Sequence, residues 1–149
     1  MTIIKNKQAL HEYEIIEKHE AGIVLTGPEV RSIKLGQIQL KGSFCSIDAN
    51  EELWLKHAHV APYAPAASVQ EDYIPTRPRK LLLNKHELSS LVGKLKTKGF
   101  TLLALRVFTT RGFIKVEIGI GRGKKQHDKR EEKKNKDIAR DVKRELRNK

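Results

Sequence analysis

Acidic side chains are in short supply: 18 Asp and Glu stand against 30 Lys and Arg in 149 residues, leaving a formal net charge of +12. That imbalance points to a polyanionic partner, a nucleic acid or an anionic membrane surface. Long apolar runs are also missing. None approaches the ~18 residues that cross a bilayer, and residues 1–10 carry polar and charged groups where an export signal needs an apolar stretch. The expectation is a cytoplasmic protein with no membrane partner. Cys45 is the only cysteine, so one chain forms neither a disulfide nor a thiolate metal cage. Hydrophobic residues reach 38% and charged ones 32%, against about 45–50% and a quarter in ordinary globular chains. Part of the chain therefore lies outside any core, and the length suits one ordinary domain.

The charge is unevenly spread. Residues 1–121 hold 17 basic and 12 acidic groups, residues 122–149 hold 13 and 6. In that second segment Ile138, Ala139, Val142 and Leu146 are the only apolar residues, too few to offset the entropy of ordering it alone. The division expected is a folded body, 1–121, and a basic tail, 122–149. At ~100° per residue, Lys136, Arg140, Lys143, Arg144 and Arg147 fall on one helical face, Asp137, Asp141 and Glu145 on a second, Ile138, Val142 and Leu146 on a third. Asp128 followed by Glu131 has the form of a helix start. Stacked cations at i and i+4 repel, so the tail is expected to be disordered when free and helical once phosphates line its basic face.

The body alternates strand and turn signals. Ile114, Val116, Ile118 and Ile120 occupy every second position, as do Leu103, Leu105 and Val107 before them, and Thr109-Thr110-Arg111-Gly112 supplies a hairpin connection. Segments 13–18, 22–26, 43–49 and 53–59 bring the expectation to about six short strands. Pro28 and Gly36 bracket one helix. A second starts at Asn84 and Glu87, spaced as a capping box, carries Leu88, Leu91, Val92 and Leu95 on one face, and ends at Gly99. Residues 62–78, with four prolines, read as a long loop. The fold class expected is mainly β with inserted helices, arranged as a small closed or nearly closed antiparallel barrel.

Few residues suggest chemistry. Gly119, Gly121 and Gly123 lack the spacing and the hydroxyl residue of a phosphate loop. They read either as a strand end needing close backbone approach or as an anion-binding backbone for RNA phosphate, flanked by Arg122, Lys124 and Lys125; the basic flanks favour the second. His57 and His59, two apart on an expected strand, would point the same way and permit a shared metal, but no convincing third ligand lies nearby. His11-Glu12-Tyr13 has no nucleophile or paired carboxylate beside it. No catalytic residue, metal or cofactor is expected, and the protein reads as a non-enzyme.

Four ordered stretches carry a family resemblance: Asn6-Lys7 leading to His11-Glu12-Tyr13, Glu20-Ala21-Gly22 with Gly27-Pro28-Glu29-Val30, Arg79-Lys80-Leu81-Leu82-Leu83-Asn84, and Gly123-Lys124-Lys125-Gln126-His127-Asp128-Lys129-Arg130. Along nearly its whole length the chain resembles the small protein B (SmpB) family of SsrA-binding proteins. The resemblance implies a barrel related to the oligonucleotide-binding (OB) fold. It also implies an adaptor that binds the tRNA-like domain of transfer-messenger RNA (tmRNA) and delivers it to stalled ribosomes for trans-translation. Glu20, Leu82, Asn84 and Lys115 match family positions implicated in binding the tRNA-like elbow. Asp128, Lys129 and Arg130, with the tail behind them, match the segment that enters the ribosomal decoding region and the empty mRNA channel. Two departures stand out: this tail has no aromatic residue where some relatives carry tryptophan, and Leu10 replaces a residue often basic. From the residues themselves Asn84 reads equally as a helix cap, Leu82 as core, and Lys115 as a phosphate contact on the exposed side of its strand. Free protein is expected to be monomeric. The alternative is a structural ribosomal protein with its basic tail buried in rRNA; an RNA nuclease working through a metal at His57 is a remoter one.

Overall fold

The computed structural model describes residues 3–65 and 72–124. The elements run β1 (Ile3–Lys5), α1 (Lys7–Glu12), β2 (Tyr13–Ile23), α2 (Gly27–Lys34), β3 (Ile38–Gln39), β4 (Phe44–Ile47), β5 (Leu53–Lys56), β6 (His59–Val60), β7 (Arg79–Leu82), α3 (Lys85–Leu95), β8 (Phe100–Thr110) and β9 (Phe113–Gly123). Seven strands form one antiparallel sheet in the order β1-β8-β9-β2-β7-β5-β4, and β3 pairs with β6 separately.

The mainly β class with inserted helices holds; the closed ring does not. β1 and β4 end the hydrogen-bonded order, so the sheet is open, although it curls far enough for β4 to pack near β8. Strand lengths also differ from expectation. Segments 13–18 and 22–26 belong to one 11-residue strand up to Ile23, because Glu20-Ala21-Gly22 stays in register with β9. Segment 53–59 breaks at His57, which adopts φ 63 between β5 and β6. β1, α1 and β7 were not anticipated. β1 and β7 are only 3 and 4 residues long, too short for alternation to register.

The core is the inner face of this sheet. Ile114, Val116, Ile118 and Ile120 of β9, Leu102, Ala104 and Val107 of β8, Leu53 and Leu55 of β5, and Leu81 of β7 are buried together. Asn84 caps α3 by accepting the Glu87 amide at 2.8 Å, and Leu91 anchors that helix to the core. α2 begins with a complete capping box: Glu29 N–H donates to Thr26 at 3.3 Å and Thr26 N–H to Glu29 at 2.9 Å.

Glu29 has a second task. It is 1% exposed, and Arg79, 0% exposed, donates through Nε to its Oε2 at 2.7 Å. Arg77 pairs with the same carboxylate. The remaining Arg79 donors reach the Ala58, Arg77 and Pro75 carbonyls and the Tyr73 hydroxyl. Burial pushes the Glu29 carboxyl up, but hydrogen bonds from Arg77, the Thr26 amide and Arg79 outweigh it and hold the group down at about 2. This network pins part of the long loop, through Tyr73, Pro75 and Arg77, to α2 and β7. Cys45 lies in the core, where burial pushes its thiol up to about 12. No helix among the described residues is long and apolar enough to cross a membrane.

Candidate nucleic-acid interface

Directly opposed residues of neighbouring strands share a face, and the register therefore defines the outer surface row by row. Leu82 of β7 pairs with Gly22 of β2, Gly22 with Lys115 of β9, Lys115 with Phe108 of β8, and Phe108 with Ile3 of β1. The adjacent row runs Glu20, Glu117, Arg106 and Lys5 across β2, β9, β8 and β1. Three of the expected RNA contacts, Glu20, Leu82 and Lys115, thus share one face. Leu82 and Lys115 lie two strand spacings apart, roughly 10 Å.

Gly22 sits between them. A Cβ there would make an ordinary contact, 3.5 Å from the Leu82 Cβ, and Leu82 itself is 50% exposed rather than core. Arg106 lies over the Phe108 ring at 4.3 Å and pairs with Glu117 at 3.0 Å, a fixed cation on an otherwise open sheet. Among the described residues no carboxylate forms an ion pair with Lys5, Lys18 or Lys115. Lys5, Lys18, Leu10, Leu105, Arg106 and Glu117 line a depression of about 350 Å³ beside these rows. Such a surface combines hydrogen-bond acceptors, apolar contact and cations, which suits the exposed bases, riboses and phosphates of folded RNA. Sequence reading missed Lys5, Lys18 and Arg106. The alternation that assigns Lys115 outward also assigns Glu117, and β8 follows once the hairpin is paired, but β1 offers no period to read.

The other candidates separate from this face. Asn84 lies two residues past Leu82, at the rim, with its side-chain oxygen already used by the α3 cap. Arg122 has the core-side parity of β9, seven residues or roughly 23 Å beyond Lys115, and pairs with Glu14 at 2.5 Å. The Lys124 amide donates to the Glu12 carbonyl at 2.9 Å. Two of the glycines between are packed strand interior and form no anion cradle. Gly119 and Gly121 stay in register with β2 and β8, and added Cβ atoms would fall 2.7 Å from Leu105 Cδ1 and 2.9 Å from Leu103 Cδ1. They are glycine so that Leu103 and Leu105, packed with Ala9 of α1, can cross over β9. His57 and His59 do not share a strand; His57 stacks on Phe44 with ring centroids 5.2 Å apart. β9 continues to Gly123, past residue 121. Lys125 and the tail candidates Asp128, Lys129, Arg130, Lys136, Arg140, Lys143, Arg144 and Arg147 lie outside the described residues.

With this geometry in hand, comparison with known proteins gives consistent relatives. Residues 3–148 match the family model described as SmpB protein. An SsrA-binding protein of Sulfurihydrogenibium sp. is 49% identical over 140 residues, 94% of this chain and 90% of the relative. One from Nitrosospira multiformis is 48% identical over 148 residues, 99% of each chain. A chain in a solved structure described as "tmRNA-SmpB: a journey to the center of the bacterial ribosome" superposes with a TM-score of 0.66 at 44% identity, covering 83% of this chain and 85% of that one.

Proposed function

The chain belongs to the SmpB family, and on that premise we propose that it is an RNA-binding adaptor that binds the tRNA-like domain of tmRNA and brings it to stalled ribosomes for trans-translation. The observation that carries the reading is the grouping of Glu20, Leu82 and Lys115 on one exposed sheet face, with Asn84 at its rim. Lys115 meets phosphate, Glu20 accepts from base or ribose donors, and Leu82 gives apolar contact. The curled, open sheet serves as the OB-related platform. Peptidyl transfer belongs to the ribosome, and the adaptor works in the cytoplasm without catalysing a step itself.

The tail has the second role. Its basic helical face, Lys136, Arg140, Lys143, Arg144 and Arg147, orders against rRNA when the mRNA channel is empty, preceded by Asp128, Lys129 and Arg130 near the decoding region. Arg122, Lys124 and Lys125 lead from body to tail along that path. The test is a chain ended after Lys124, which leaves β9 whole. It should bind the tRNA-like domain as the full chain does yet fail to support tagging on stalled ribosomes. Equal loss of both activities would overturn the division of labour.

A further inference from the structure

Four side chains around Lys115 are apolar and open. Phe113 is 69% exposed, Leu82 50%, and Ile3 and Val24 48% each. Alternation puts Phe113 on the Lys115 side of β9, and Val24 continues the outward parity of Gly22, its amide donating to the Lys80 carbonyl at 2.9 Å. Phe113 is held out by the hairpin turn, where Arg111 and Gly112 both take positive φ, 49 and 81. Along the strands the chemistry changes: Lys5 lies two residues, roughly 7 Å, from the register row of Leu82 and Ile3 and four from Phe113, and Lys18 lies two residues further on. There Lys5 and Lys18 flank the depression floored by Leu105, while Arg106 is neutralised by Glu117.

We propose that the outer face reads one RNA segment with two strips: Ile3, Phe113, Val24 and Leu82 take unpaired bases, and Lys5 and Lys18 take backbone phosphates further along the same segment. The inference rests on the RNA-binding reading above and adds to it an orientation for the bound strand. Splayed-out bases are what an exposed ring and aliphatic groups recognise in RNA, since a helical stem hides its base faces. Cations with no ion-pair partner among the described residues attract phosphate without competing for it internally. The strips therefore differ in salt response: stacking is nearly salt-independent, and each phosphate contact releases counterions.

The experiment titrates full-length protein with the tRNA-like domain of tmRNA over a series of KCl concentrations. Phe113→Ala should weaken binding about tenfold at an unchanged slope of log K against log salt, with Phe113→Tyr restoring affinity. Lys5→Ala and Lys18→Ala should each lower the slope by about 0.7–0.9, and Lys5→Arg should not. Wild-type affinity in Phe113→Ala overturns the base strip; wild-type slopes in both lysine variants overturn the phosphate strip. If wild-type protein itself fails to prefer this RNA over an arbitrary duplex, the adaptor reading falls instead.

Discussion

Two charged regions of this molecule use the same residue types to opposite ends. Around Glu29 every charge is answered: the carboxylate meets Arg77, Arg79, Tyr73 and the Thr26 amide, and Arg79 is wholly buried. On the outer sheet face Lys5, Lys18 and Lys115 have no carboxylate partner among the described residues, and Glu20 stands opposite another carboxylate, Glu117. Saturated charge fastens a loop to a sheet; unsaturated charge waits for a ligand. A residue's contribution to stability or to binding follows from which condition it meets, and its formal charge says little.

Four experiments can break or sharpen that contrast. The largest effect belongs to Arg79→Ala, which takes from Glu29 its wholly buried cationic partner and leaves the Ala58 and Pro75 carbonyls without their donor. It should cost about 3–5 kcal/mol and lower Tm by about 10 °C or more, leaving the salt slope of RNA binding in the surviving folded protein unchanged; an altered slope would merge the two regions. Next is acid. The Glu29 carboxyl is held down at about 2, so its contribution is present above its ordinary range, near 4.5, and is lost as pH falls toward 2. Tm followed through that window should drop more steeply in wild type than in Glu29→Gln, and parallel curves would remove Glu29 as the acid-sensitive group. Third, Gly119→Ala should destabilise by about 1–3 kcal/mol, since its Cβ would meet Leu105 Cδ1 at 2.7 Å and the Glu17 carbonyl oxygen at 3.0 Å. Combined with Leu105→Ala, the loss measured by chemical denaturation should be less than the sum; strict additivity would locate the strain elsewhere. The smallest effect on the fold is that of Lys115→Ala, which should change stability by less than about 0.5 kcal/mol. Titration over a salt series should still show the loss of about one phosphate contact, and an unaltered slope would take Lys115 off the interface.

The parts legible in the sequence are those whose signals are local. α2 and α3 announce themselves by Pro28 and by Asn84 with Glu87, and the β8–β9 hairpin by alternation in β9 and the Arg111-Gly112 turn. The expected alternation of Leu103, Leu105 and Val107 fails, because a bulge between Ala104 and Arg106 puts Leu103 and Leu105 against Ala9 and leaves Val107 in the main core. The buried ion pair is illegible because its members lie 50 residues apart and each looks like a surface charge. Gly119 and Gly121 resembled a phosphate cradle because glycine beside lysine and arginine fits both readings; only the leucines crossing from β8 decide between them. Glu20, Leu82 and Lys115 could be nominated by resemblance, but that they adjoin one another depends on pairing across β7, β2 and β9. Arg122 was grouped with them through basicity alone, and strand parity separates it.

Trp54, the chain's single tryptophan, pairs with Lys80 on the outer side of the sheet, and its indole N–H donates to Asp48 at 2.9 Å. Asp48 also accepts the Asn50 and Glu52 amides, so the turn that joins β4 to β5 orients the ring. The molecule thus carries its own emitter one strand from Leu82. A change in its quantum yield or emission maximum would follow a ligand settling on that side, with no dye attached and no residue replaced.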